Sequence, residues 1–163
     1  MKATTSITAA AMLLFSLSSC QKDGLINLKK VPENVKSAFN SNYSNAEDVE
    51  WYRNGDTYSA EFEENGQEIE VTMNENGQII EIESEIALSE LPAAATAYIA
   101  ANYPNAEIEE AERIEHPLQN ADIQNMLFSV EIETEDEDDE EELELLFDAA
   151  GNFLSIEQDE DED

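Results

Sequence analysis

Any catalysis by this chain would have to be assembled from one cysteine, Cys20, one histidine, His116, and a large excess of carboxylates. A nucleophile needs a base within hydrogen-bonding reach and a third group to orient that base. His116 precedes Pro117 in a polar stretch, the chain offers no second candidate base of suitable pKa, and His116 reads as a solvated loop residue. Carboxylates are so abundant that no single pair stands out as an acid–base couple. No glycine-rich loop ending in Gly-Lys-Ser or Gly-Lys-Thr is present to cradle a phosphate, and one histidine with one cysteine does not complete a zinc site. No catalytic residue is therefore assigned, the chain is expected not to be an enzyme, and no cofactor is expected. Calcium is the remaining chemistry, because hard cations take carboxylate oxygens, and Glu135, Asp136, Asp138, Asp139 and Glu141 lie close together in sequence. These five lack the alternating Asp/Asn ligands and the central glycine that shape an EF-hand loop. They are expected to attract calcium weakly, and no specific metal site is assigned.

Forty Asp and Glu oppose seven Lys and Arg, for a formal charge of −33 over 163 residues. Binding to nucleic acid draws its affinity from cations that displace condensed counterions, so a polyanion of this kind is excluded from it. Anionic lipid headgroups are repelled by the same field, and a charge of this size favours a soluble monomer. With 41% apolar residues the chain can still build a core.

A membrane connection comes instead from the N-terminus. Lys2 is followed by the uncharged stretch 3–17, which contains the apolar run from Ala9 to Phe15. That run is too short for a permanent transmembrane helix, which needs about 20 apolar residues, and fits a signal peptide covering residues 1–19. The stretch ends in Leu17-Ser18-Ser19-Cys20, which resembles the bacterial lipobox, whose cysteine is lipidated and becomes the first mature residue. The one cysteine of the chain stands where that motif requires it. Cys20 is accordingly the expected lipidation site, and a disulfide is not expected. Gln21-Lys22-Asp23 resembles the short signals that carry some Bacteroidetes lipoproteins to the outside of the outer membrane, with Gly24 where those signals usually have a second acid. Residues 20–30 show no apolar period and are expected to form a flexible leader.

The rest of the chain is duplicated. Val31-Pro32 and Leu91-Pro92 stand 60 residues apart, as do Asn42-Tyr43-Ser44-Asn45-Ala46-Glu47 and Asn102-Tyr103-Pro104-Asn105-Ala106-Glu107. Met73 to Ile80 matches Phe147 to Leu154 at an offset of 74, so the second copy is longer inside. Two matches in the same order argue for a tandem repeat, here 31–86 and 91–157. Each copy should begin with a helix opened by its proline. Val35, Ala38, Phe39 and Tyr43 fall on one helical face in the first copy; Ala95, Tyr98, Ile99 and Tyr103 do so in the second. The period then changes to two. Val49/Trp51, Tyr58/Ala60/Phe62, Ile69/Val71/Met73 and Ile80/Ile82 alternate with polar residues, and Asn54-Gly55, Asn65-Gly66 and Asn76-Gly77 separate the runs as hairpin signals. In the second copy Phe128/Val130/Ile132, Leu143/Leu145/Phe147 and Leu154/Ile156 give three clear strands, with a weaker one from Ile108 to Glu115. Ten of the twelve residues from 133 to 144 are acidic, which suggests a mobile hairpin tip with frayed strand ends. Residues 158–163 form an acidic tail.

These residues together carry a family resemblance. Pro32 and Pro92, Tyr43 and Tyr103-Pro104, Trp51, Tyr58-Ser59-Ala60-Glu61-Phe62 and Phe147-Asp148-Ala149-Ala150-Gly151 resemble the PepSY-like family of exported Bacteroidetes proteins, which is similar to the β-lactamase inhibitory protein. The resemblance covers residues 31–157. It implies an α+β fold, a tandem repeat of one helix packed on a four-stranded antiparallel meander, forming one extended or concave sheet. The inhibitor's enzyme-contacting loops match no position here, so inhibition is not implied.

The expected molecule is a lipid-anchored, non-catalytic envelope protein that binds an unidentified protein or peptide through its sheet face or its acidic hairpin. It would sit at the outer membrane, on the periplasmic face or the cell surface. The alternative is an acidic, calcium-responsive or cation-buffering surface protein. The anchor has a direct check: wild type should enter the detergent phase and incorporate a fatty-acid analogue, and Cys20→Ser should move to the aqueous phase. An unlabelled wild-type protein would refute it.

Overall fold

The computed structural model describes residues 24–117, 126–136 and 139–157. Among these, a 3-10 turn at Leu28–Lys30 leads into α1 (Glu33–Asn42), β1 (Glu47–Asn54), β2 (Thr57–Glu64), β3 (Gln67–Asn74) and β4 (Ile79–Glu85). A second 3-10 turn at Leu88–Glu90 then leads into α2 (Ala93–Asn102), β5 (Glu107–Glu115), β6 (Met126–Asp136), β7 (Asp139–Asp148) and β8 (Phe153–Glu157). All eight strands form one antiparallel sheet in chain order. The class is α+β, one helix and four strands per copy.

The hairpins arise where the asparagine–glycine pairs predict them, with one shift. Asn65 and Gly66 both take positive φ between the paired Glu64 and Gln67, as a two-residue turn of matching twist requires. In the first hairpin Asn54 still pairs with Thr57, so Gly55 and Asp56 make the turn instead. The β3–β4 and β7–β8 connections are copies of each other. Asn74 Oδ1 accepts from the N–H groups of Asn76 and Gln78, and Asp148 Oδ1 accepts from those of Ala150 and Asn152. Gly77 and Gly151 take φ +76° and +81° there, each pressed against the first turns of its own helix. A Cβ on Gly151 would approach Ala95 N to 2.7 Å, so this turn both reverses the chain and seats α2.

Each helix covers its own four strands. Val35 and Phe39 of α1 pack with Trp51, Tyr58, Ala60, Phe62, Val71 and Met73. In the second copy Ala95 and Ile99 of α2 pack with Ala111, Phe128, Val130, Ile132, Leu143, Leu145 and Phe147. Pro32 and Pro92 immediately precede the helices and do not occupy their first position. The joint between copies keeps the strand parity, with Ile82 opposite Glu115 and Ser84 opposite Arg113. Both helices therefore lie on one side of the sheet, and the two cores meet over a polar seam.

Other expectations change in detail. A bulge in β4 sets Ile79 opposite Met73, so Ile79, not Ile80, joins Ile82 against the core. The same bulge in β8 sets Phe153 opposite Phe147, where its ring stacks on Tyr98, and leaves Leu154 half exposed. The expected flexible leader is structured from Gly24 on: Leu25 bridges Tyr52, the Ile26 N–H donates to Trp51 O at 2.7 Å, and Ile26 packs on the first core. This segment covers the exposed edge of β1, whose backbone groups would otherwise seek a partner strand. The frayed hairpin ends are also corrected. The β6–β7 ladder continues through Thr134 opposite Glu141 and Glu135 opposite Glu140 to Asp136 opposite Asp139.

Trp51 carries the first core, its ring 5.1 Å from that of Phe39 at 68° and only 5% exposed. Trp51→Ala should lower stability by about 3–5 kcal/mol, the usual range for a buried large aromatic, measured by urea denaturation. A loss under about 1 kcal/mol would mean that the ring is not part of the core.

Candidate binding face

The side of the sheet away from the helices is set by strand parity, since alternate residues point to opposite faces. Most apolar strand residues point toward a helix, and the residues between them are mostly glutamate. Register then aligns these glutamates into rows. Glu50, Glu61, Glu70 and Glu83 stand opposite one another across β1 to β4. Glu110, Glu131 and Glu144 do the same across β5 to β7. Glu63 faces Glu68, Glu85 faces Glu112, and Glu133 faces Glu142. Directly opposed like charges destabilise a strand pair. Both arginines, Arg53 opposite Tyr58 and Arg113 opposite Phe128, fall on the helix side by register, and the described lysines lie in the first 3-10 turn and α1.

The middle of this face is the least exposed part of it. Glu83 and Glu112 are 8% and 7% exposed, and Ser59, Glu70 and Ser129 are buried as well. Hydroxyls share some of the polar work: Ser59 Oγ lies 2.7 Å from Thr72 Oγ1, and Ser129 Oγ donates to Glu144 Oε1 at 2.6 Å. Burial, reinforced by Glu110, Glu144, Glu70 and Glu68, raises the Glu112 carboxyl to about 8. Burial with Glu85, Glu131 and Glu68 raises Glu110 to about 7, and burial with Glu61, Glu85 and Glu63 raises Glu68 to about 7. A carboxyl taken from water among like charges keeps its proton.

Beside these acids lies an apolar patch. Ile114 pairs with Leu127 across β5–β6 and with Glu83 across β4–β5, and Leu146 stands opposite Ser129. Ile114 is only 8% exposed yet belongs to neither helix-covered core. The patch is legible in hindsight as apolar doublets, Leu127-Phe128 and Leu145-Leu146, which break strict alternation and put an apolar residue on both faces.

The residues singled out from the sequence fall elsewhere. Cys20 and Asp138 lie outside the described residues. The backbone places Glu135 and Asp136 on β6 and Asp139 and Glu141 on β7. His116 Nδ1 lies 3.3 Å from Glu81 Oε2, at the end of β5. No group of three or more His, Cys, Asp or Glu among the described residues is arranged to hold a metal ion.

This architecture has relatives. The family model described as "Putative beta-lactamase-inhibitor-like, PepSY-like" matches residues 18–81 and again 56–155. The chain belongs to that family. A DUF2874 family protein from Bacteroides uniformis is similar over 78% of this chain and 88% of its own, with 20% identity and a TM-score of 0.66. A BLIP-like protein from Bacteroides fragilis aligns over 81% and 89%, at 25% identity and a TM-score of 0.62. A Bacteroides eggerthii structure described as "putative periplasmic" aligns over 78% and 88%, at 21% identity and 0.65. No curated protein matches the chain.

The raised carboxyls give a signed pH dependence. From about pH 4.5, the ordinary value, up to the folded values near 7 and 8, the unfolded chain ionises while the folded chain holds its protons. Folding stability should therefore be highest at acid pH, fall as pH rises through that window and level off above it. The melting temperature should be lower at pH 8.5 than at pH 5.5, and Glu112→Gln should flatten the fall and raise the value at pH 8.5. A melting temperature that rises with pH would contradict the burial of these acids.

Proposed function

We propose that the protein is an exported, lipid-anchored and non-catalytic component of the cell envelope, and that it binds a cationic protein or peptide on the helix-free face of its sheet. The observation that carries this reading is the alignment of glutamates into cross-strand rows around an apolar patch. Such rows weaken the sheet that bears them, whereas a positively charged partner would turn the same repulsion into attraction. Long-range attraction would speed the encounter, and desolvated contacts at the patch would hold the complex. Export and anchoring rest on the signal-like run 1–19 and on Cys20 in its lipobox-like setting. Non-catalytic binding is supported by membership of an inhibitor-like family and by the BLIP-like relative, whose fold is the same.

The reading is tested with the immobilised chain from Gln21 onward, which retains both cores, exposed to envelope extract. A protein or peptide should be retained at low salt and released by about 0.3 M, where screening acts within a few ångströms. The variant carrying Glu61→Gln, Glu70→Gln and Glu131→Gln should lose it, while Glu33→Gln on α1 should keep it. Retention that is insensitive to salt, or equal in the face and helix variants, would overturn the proposal.

A further inference from the structure

A deeply buried carboxyl near the middle of the helix-free face has no hydrogen-bonding counterpart among the described residues. Glu112 is 93% buried, being 7% exposed, and no hydrogen bond or ion pair reaches it among the described residues. Its neighbours are acids on every strand packed around it: Glu68 and Glu70 of β3, Glu83 and Glu85 of β4, Glu110 of β5, Glu131 of β6 and Glu144 of β7. The hydroxyl opposite it, on Ser129, is committed to Glu144. A buried polar side chain without a partner costs free energy, and none of its acidic neighbours can donate while ionised. Immediately along β5 lies Ile114, paired with Leu127.

We infer that Glu112 is the seat of a lysine or arginine side chain delivered by the bound partner, whose aliphatic stem lies over Ile114 and Leu127. This deepens the proposed binding function and rests on it. A primary ammonium or a guanidinium fits for a simple reason. It is a donor without acceptors, it neutralises several carboxylates at once, and its methylene stem tolerates an apolar rim. On entry of the cation the Glu112 O–H breaks, the proton leaves to solvent, and the carboxylate accepts a charge-assisted hydrogen bond in its place. Binding should therefore release protons and tighten as pH rises from 6 to 8, by up to about tenfold per pH unit for each proton released.

The test is calorimetric titration of octalysine into the chain from Gln21 onward, at pH 7 and low salt, in two buffers of different ionisation enthalpy. The heats should differ by the amount that one released proton per site requires. Glu112→Gln should abolish most of the proton release and most of the pH dependence, while Glu75→Gln, in an exposed turn, should leave both intact. Fully Nζ-acetylated octalysine should not bind. Binding without proton release, or proton release unchanged in Glu112→Gln, overturns the seat while leaving the face as a docking surface. Octalysine that does not bind overturns the seat as well, and the envelope-extract comparison then decides the function independently. Calcium chloride that releases the same proton, with the same loss in Glu112→Gln, overturns it in favour of a cation site. Glutamine keeps the side-chain shape, and an unchanged circular dichroism spectrum would certify that the variant is folded.

Discussion

The two faces of the sheet are forced apart by one constraint, the strict alternation of side chains along each strand. The helix side is apolar because it must close two cores, and what remains for the other side is chiefly glutamate, with hydroxyls and one small apolar patch. Antiparallel register then does something that composition alone does not. It sets Glu50, Glu61, Glu70 and Glu83 in one row, and Glu110, Glu131 and Glu144 in another. A chain of this charge could have spread its acids over loops and helices, where each would be solvated at little cost. Concentrating them across strand pairs is unfavourable for the fold by itself, and the fold tolerates it by packing two continuous aromatic and aliphatic cores underneath.

The duplication explains how the two halves share this burden. The Asn74 and Asp148 turns are built alike, each placing a left-handed glycine against its own helix. Each half thus has its own helix, core and locked turn. What neither half has alone is the centre of the acidic face, because Glu83 and Glu85 belong to the first copy and Glu112 and Glu110 to the second. Their burial follows from the β4–β5 joint, where Glu85 stands opposite Glu112. The centre of the acidic face is a product of the joint between the two copies.

Most of the fold was legible. Prolines and a period that changes from 3.6 to 2 identify the helix and strands of each copy, and asparagine–glycine pairs mark the turns of the first, because those signals are local. The misreadings at Ile80 and Leu154 share one cause: a bulge adds a residue and reverses the parity, and nothing in an isoleucine pair or a Phe-Leu pair announces it. The segment from Leu25 to Lys30 reads as flexible leader because its contacts, an edge bridge to Tyr52, a backbone hydrogen bond to Trp51 and one partly buried isoleucine, are too few to impose a period. The site was much less legible. Alternation places glutamates on one face, but whether one of them is buried depends on neighbours up to 44 residues away, as Glu68 is from Glu112. The sequence pointed to the sheet face or the acidic hairpin without choosing between them, and only the register shows which glutamates of the sheet stand in rows.

The central claim is that the middle of the helix-free face holds buried carboxyls that keep their protons at neutral pH. Site-resolved NMR titration of the glutamate side-chain carboxyl carbons, with Glu112→Gln to assign the resonance, addresses it directly. Glu112 should titrate at about 8, with Glu68 and Glu110 at about 7. A Glu112 carboxyl that titrates with the bulk of the acids, near the ordinary glutamate value of about 4.3, would show that the face is an open solvated surface and would contradict the account.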